Sequence, residues 1–108
     1  MQFSFNGLKQ QEGGSGRSIW LSDQEIFFES LRGHDPEAFR LLYKKYAAAL
    51  FGLVLREVGD EPTAEIILEK IFLEVWTSIT FFDETKLKIF SWLNQIAINQ
   101  INRYYLNA

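Results

Sequence analysis

The chain has no cysteine among its 108 residues. That excludes a disulfide scaffold, a thiolate-bound zinc and a thiol nucleophile, and it fits a reducing compartment. No run of about 18 or more apolar residues occurs, so no membrane-spanning helix is expected. The N-terminal MQFSFNGLKQQ has no positive region leading into a long apolar stretch, so it does not read as a secretory signal. By elimination the expectation is a soluble, cytoplasmic protein without membrane contact. A basic excess is also missing: the formal charge is −3 and the isoelectric point about 5.1. Duplex-DNA binders usually carry a basic balance, so any contact with nucleic acid must be local and affinity for DNA alone weak. No Gly-rich phosphate loop follows a strand pattern. The single histidine, His34, stands in a turn and is read as structural or idle. With no catalytic constellation in sight, neither an enzyme nor a metal or cofactor is expected.

What is present is apolar and aromatic. Hydrophobic residues make up 47% of the chain and aromatics 16%, with ten Phe, four Tyr and three Trp. The length suits one small domain. Large aromatic side chains can stabilise such a domain without cross-links. Residues 1–20 read as an arm made flexible by Gly13, Gly14, Ser15 and Gly16, and the helical domain is expected over residues 21–108.

From Ser22 onward the pattern is helical. Ser22-Asp23-Gln24-Glu25 is a capping box opening a short helix to about Leu31, which Arg32-Gly33-His34 breaks. Asp35 and Pro36 start a second helix whose apolar positions Phe39, Leu42, Tyr43, Tyr46, Leu50, Leu53 and Val54 recur at steps of three and four, stopping at Gly59. Asp60 caps a third, with Pro62 in its first turn. Its apolar face is Ala64, Ile67, Leu68, Ile71, Phe72, Val75 and Trp76, and it ends near Ile79. Thr80–Lys86 is a connection holding Phe81 and Phe82, and a fourth helix runs from about Leu87 to about Leu106. The expected fold is all-α: a compact bundle of three longer helices plus a short N-terminal one. Phe39, Tyr43, Leu50, Ile67, Ile71, Phe90, Leu93 and Ala97 should be mostly buried.

Two surfaces stand out. The third helix is acidic outside, with Asp60, Glu61, Glu65, Glu69 and Glu74 against Lys70 alone. Such a face is either simply solvated or a docking surface for a basic partner. On a wheel of about 100° per residue, Phe90, Leu93, Ala97, Ile101 and Tyr104 of the fourth helix face the core. Lys88, Ser91, Gln95, Asn99, Asn102 and Arg103 face away, with Trp92 beside them. Amides donate and accept hydrogen bonds and can read base edges. Unpaired bases also need an aromatic platform with positive charge nearby. Trp92, Phe81 and Phe82 are candidates, with Lys86 and Lys88 beside them. The alternative is that Trp92 packs on a neighbouring helix and the amides are merely wet.

Three fragments in register carry a resemblance. They are Asp35-Pro36-Glu37-Ala38-Phe39 with Leu42-Tyr43 and Tyr46; Gly59-Asp60, Ala64-Glu65, Phe72-Leu73 and Trp76; and Phe82-Asp83, Lys86, Phe90, Trp92-Leu93, Ile96-Ala97 and Asn99. Over about residues 22–106 the chain resembles the second conserved region of extracytoplasmic-function (ECF) RNA polymerase sigma factors, the promoter-melting domain. The resemblance implies an all-helical fold and two partners. The third helix would dock on the β′ clamp helices of core polymerase through Glu65, Leu68, Glu69, Phe72 and Leu73. The connection and fourth helix would capture flipped bases of the non-template strand at the minus-ten element through Phe82, Asp83, Lys86, Lys88, Trp92, Gln95, Asn99 and Arg103. An anti-sigma factor is a further partner the resemblance admits. The family's C-terminal domain, which reads the minus-thirty-five element, is not among these 108 residues.

The chain also departs from the family pattern. Ile66 and Lys70 replace two polar clamp contacts, Ile98 replaces a usual Arg, and Tyr104-Tyr105-Leu106 stands where a basic tail commonly follows. Two functions are therefore carried forward. One is a sigma domain binding polymerase and single-stranded promoter DNA. The other is a sigma-like interaction module that binds a regulator or itself.

Overall fold

The computed structural model describes residues 22–107; the arm expected over residues 1–20 lies outside them. Helix α1 spans Asp23–Arg32, α2 Pro36–Val58 and α3 Glu61–Ser78, followed by a 3₁₀ turn over Ile79–Phe81 and α4 over Ile89–Asn107. No strand occurs among the described residues. The three long helices pack against one another pairwise, and α1 lies against α2 and the 3₁₀ turn. This is the all-α bundle that the apolar periodicity implies.

Local chemistry sets the helix ends. Ser22 Oγ accepts from the Glu25 amide at 3.0 Å while Glu25 Oε1 accepts from the Ser22 amide at 2.8 Å, a closed capping box. Asp35 and Asp60 accept from the amides of Ala38 and Thr63, at 3.3 and 3.0 Å, and cap α2 and α3. Gly59 ends α2 with φ of 71°, a left-handed conformation glycine adopts freely.

The break between α1 and α2 works differently. Here the positive φ, 60°, belongs to His34 and not to Gly33. His34 Nε2–H donates to the Trp76 carbonyl at 2.8 Å, and its ring meets the Trp76 indole edge-on at 4.8 Å. That carbonyl is one of the last four of α3, which have no partner within the helix. The single histidine is thus structural: it holds a strained turn against the end of α3.

Leu42, Leu50, Val54, Ile71, Val75, Ile79 and Leu93 are fully enclosed at the centre. Of the eight residues expected in the core, Leu50, Ile67, Ile71, Leu93 and Ala97 are buried and Phe39 is half-buried. Two are not: Tyr43 is 44% exposed and Phe90 39%. Phe90 falls in the first turn of α4, at the end of the bundle, where it stacks on Tyr46 with ring centroids 5.6 Å apart and leaves its other face to solvent. Tyr104 is likewise 38% exposed in the last turns of α4. Ile96 and Gln100 occupy α4 core positions instead. The Gln100 amide donates to Glu74 Oε1 at 2.7 Å, which turns Glu74 toward α4 and away from the acidic outer face of α3. Tyr105, in the segment replacing a basic tail, donates its hydroxyl to the Glu57 carbonyl at 2.7 Å and ties the ends of α4 and α2 together.

Candidate nucleic-acid and protein interfaces

The first candidate surface runs from the 3₁₀ turn through the connection to the outer face of α4. A 3₁₀ helix repeats every three residues, so Ile79 and Phe82 fall on one side and are 2% and 4% exposed. Phe82 lies between Phe28, at 5.5 Å, and Trp92, at 5.0 Å. This corrects the expectation that Phe82 offers an open stacking face. Its ring belongs to the core and backs the Trp92 indole from inside. Phe81 points the other way and is 86% exposed.

The connection is braced from α1. Arg32 Nη1 donates to the Phe82 carbonyl at 3.2 Å and pairs with Glu84 at 2.5 Å. The hydrogen bond from Arg32 holds the Glu84 carboxyl below its ordinary range, and Glu84 in turn raises the already high pKa of the guanidinium. Asp83 is spent on the turn: its carboxylate accepts from the hydroxyl and the amide of Thr85 at 2.6 and 2.9 Å, and its carbonyl from the Lys86 amide at 3.1 Å. The Thr85 bonds keep its carboxyl, too, below the usual range. Asp83 therefore shapes the loop, an Asx turn, through Oδ1, which takes both Thr85 bonds.

Beyond this brace the expected polar stripe is in place. Lys86, Lys88, Ser91, Gln95, Asn99, Asn102 and Arg103 are exposed, and Trp92 is half-buried at their edge. Trp92 and Asn99, seven residues apart, lie on one face about 10 Å apart along the axis. The surface can offer amides for hydrogen bonding, an indole edge and three cations.

The second candidate surface is a groove between α2 and α3. Phe39, Tyr43, Phe51, Leu68 and Phe72 line it, with Glu65 and Glu69 on its rim, around about 640 Å³ of space. Its rings interlock: Phe72 meets Tyr43 at 4.7 Å and Phe39 at 6.0 Å, and Phe39 meets Trp76 at 5.1 Å. A neighbouring hollow adds Lys70, Leu73 and Trp76. Of the five residues assigned to this face from sequence, Glu65, Glu69 and Leu73 are accessible, Leu73 at 64%. Leu68 and Phe72, at 9% and 4%, form the floor, which corrects the expectation that Phe72 shares the accessible side. The sequence reading missed the α2 wall. The signal for it was the aromatic pair Phe39 and Tyr43, read there as core.

The replacements Ile66 and Ile98 leave apolar side chains in solvent, at 55% and 51% exposure. Ile66 and Lys70 line a third, smaller cleft between α3 and α4 with Gln100, Arg103 and Tyr104. Among the described residues no cluster of His, Asp or Glu could hold a metal ion, and no helix is long and apolar enough to cross a membrane.

Comparison with known proteins agrees with this architecture. The family model of sigma-70 region 2 matches residues 42–108. The ECF RNA polymerase sigma factor SigK of Mycobacterium tuberculosis is 33% identical over 76 residues, 70% of this chain and 41% of that protein. Its namesake from Mycobacterium ulcerans is 29% identical over 85 residues, 79% of this chain and 44% of that protein. The chain thus spans about two fifths of the length of these relatives. A 50-residue stretch is also 42% identical to the protelomerase of Escherichia phage N15, but covers only 8% of that protein. No solved structure gives a significant match. With the family model covering more than half its length, the chain belongs to the sigma-70 region 2 family, and the relatives it matches include ECF RNA polymerase sigma factors.

Proposed function

We propose that this chain is the promoter-opening domain of an ECF-type sigma factor, with α3 docking on the β′ clamp helices of core polymerase and the connection and α4 holding unpaired non-template bases of the minus-ten element. The observation that carries the reading is the exposed amide stripe of Gln95 and Asn99 beside Trp92, placed against a connection that Arg32 braces. A flipped base needs a flat apolar wall and partners for its Watson–Crick edge. Trp92 supplies the wall, and Asn99 and Gln95 the partners. Lys86, Lys88 and Arg103 supply charge for the phosphates. The groove of Phe39, Tyr43, Phe51, Leu68 and Phe72, rimmed by Glu65 and Glu69, suits a helix with an apolar stripe and basic flanks. An anti-sigma factor that covered this groove would block the same contact.

The test is promoter opening by core polymerase carrying the chain, followed with fluorescent non-template DNA. Asn99→Ala is the cleaner variant, because Trp92 also packs on Phe82. Asn99→Ala should open the promoter several-fold more slowly while staying on polymerase. Equal opening by Asn99→Ala and Trp92→Ala would remove the base-capture assignment.

A second reading has its own support. Ile66 and Ile98 put apolar surface in solvent where the family pattern is polar, as an interaction module that has given up DNA would. Binding of a protein regulator without retention on core polymerase would favour it.

A further inference from the structure

We infer that the cleft between α3 and α4 is a binding site for a small organic acid, one with an apolar body and a hydrogen-bond donor beside its anionic group. The inference is independent of which reading of the two larger surfaces holds.

The cleft encloses about 230 Å³, with Ile66 and Ile67 of α3 and Tyr104 of α4 among its walls. Its charge is of one sign. Lys70 enters from α3 and Arg103 from α4, and no Asp or Glu lines it. The chain as a whole carries 14 acidic residues against 11 basic ones, and the α2–α3 groove is rimmed by Glu65 and Glu69. Lys70 and Arg103 are both exposed, and neither makes a hydrogen bond or an ion pair among the described residues. Two like charges on one hollow repel each other, and an anion between them replaces that repulsion with two attractions.

Gln100 supplies a second, independent observation. It is 7% exposed and lines the cleft. Its partner Glu74 is a carboxylate, which only accepts, so the Gln100 amide nitrogen must face Glu74. The Gln100 carbonyl oxygen is then left without a partner among the described residues. No fully enclosed polar side-chain atom there lacks a hydrogen bond, so this oxygen is accessible, and it is accessible along the cleft. A ligand N–H or O–H would satisfy it.

Size and sequence narrow the occupant further. Drug-sized ligands take about 300–1,000 Å³, so this cleft suits a smaller molecule, about one ring with its substituents. Ile66, Lys70 and Tyr104 are also three of the positions where the chain departs from the sigma pattern. Each alone reads as a lost contact. Together they bring an apolar wall, a cation and a phenol ring to one hollow.

The test is an NMR amide-shift titration of the full chain at constant ionic strength. The probes are mandelate, phenylacetate, which lacks the hydroxyl, and neutral phenylacetamide. Both acids should shift amides of residues 63–70 and 100–107, mandelate should bind the more tightly, and phenylacetamide should shift them little. Lys70→Gln and Arg103→Gln should each weaken mandelate at least about fivefold, while Lys44→Gln, at an exposed position on α2, should not. The spectra of the variants also report that they fold. Wild type unshifted by either acid overturns the inference. So does phenylacetamide binding as tightly as the acids, which would make the cleft a plain apolar hollow. Equal affinity of wild type, Lys70→Gln and Arg103→Gln overturns it too, because the acids would then sit elsewhere. Phenylacetate matching mandelate would remove the donor and with it the role given to Gln100.

Discussion

Phe90 and Leu93 stand three residues apart on α4 and differ in what holds them. Leu93 is completely enclosed, while Phe90 has one face on Tyr46 and the other in water. Removing an enclosed Leu loses its transfer energy and leaves a cavity, so Leu93→Ala should destabilise the domain by about 2–5 kcal/mol. Phe90→Ala removes a larger ring but leaves no closed cavity, and about 1–2 kcal/mol is expected. Urea denaturation of both variants checks the order, and a larger loss at Phe90 would contradict the geometry. The same contrast marks how far single residues were legible. Helical spacing placed Leu50, Ile71 and Leu93 correctly because it reports which side of a helix is apolar. It cannot report where along the helix the neighbours end, which exposes Phe90, or that α2 and α3 leave a groove between them, which exposes Tyr43. Gln100 was illegible for another reason: an amide within an apolar stripe is buried only because Glu74 on another helix receives it. Phe82 and Phe81 were separable in principle through the spacing of Ile79 and Phe82, had the connection been recognised as a 3₁₀ turn.

At the scale of elements, the helix boundaries were legible because caps are local chemistry: Ser22, Asp35, Gly59 and Asp60 act within four residues of where they stand. The brace from α1 to the connection was not, since Arg32 and Glu84 are 52 residues apart. That brace makes the connection acid-sensitive. Glu84 in the folded chain titrates below its ordinary 4.5 because of the Arg32 hydrogen bond. Its contribution is therefore complete above that value and is lost as pH falls through the lowered one. Both side chains are partly exposed, so the effect is local loosening and not global unfolding. Amide-exchange protection over residues 82–88, taken relative to the intrinsic rate at each pH, should fall more in wild type than in Glu84→Gln as pH drops below the ordinary 4.5, and parallel profiles would show that the ion pair does not brace the loop. The α2–α3 groove gives the other element-scale prediction. Glu69 sits on its accessible rim, and opposite charges steer and hold such contacts in a salt-dependent way. Glu69→Lys should lower retention on core polymerase about tenfold at low salt and flatten the salt dependence. Unchanged retention would mean the acidic face is merely solvated.

At the scale of the whole molecule, net charge decides what the domain can do alone. A charge of −3 repels DNA at long range, and the cations near the amide stripe are few: Lys86, Lys88 and Arg103. Affinity for DNA grows with the number of phosphates neutralised, so a few contacts give weak binding that falls further with salt. In duplex DNA the base faces and Watson–Crick edges are occupied by neighbours, so Trp92 and Asn99 have nothing to hold. The free chain should therefore bind minus-ten single strands weakly, and duplex of the same sequence more weakly still. Docking on polymerase changes this without any new DNA contact, because a site tethered beside the DNA works at an effective concentration that dilute protein never reaches. Anisotropy of labelled single strands, titrated with the chain alone and with the chain bound to core polymerase, should show affinity rising at least about a hundredfold on docking. Tight duplex binding by the free chain would require a basic surface that these residues do not form.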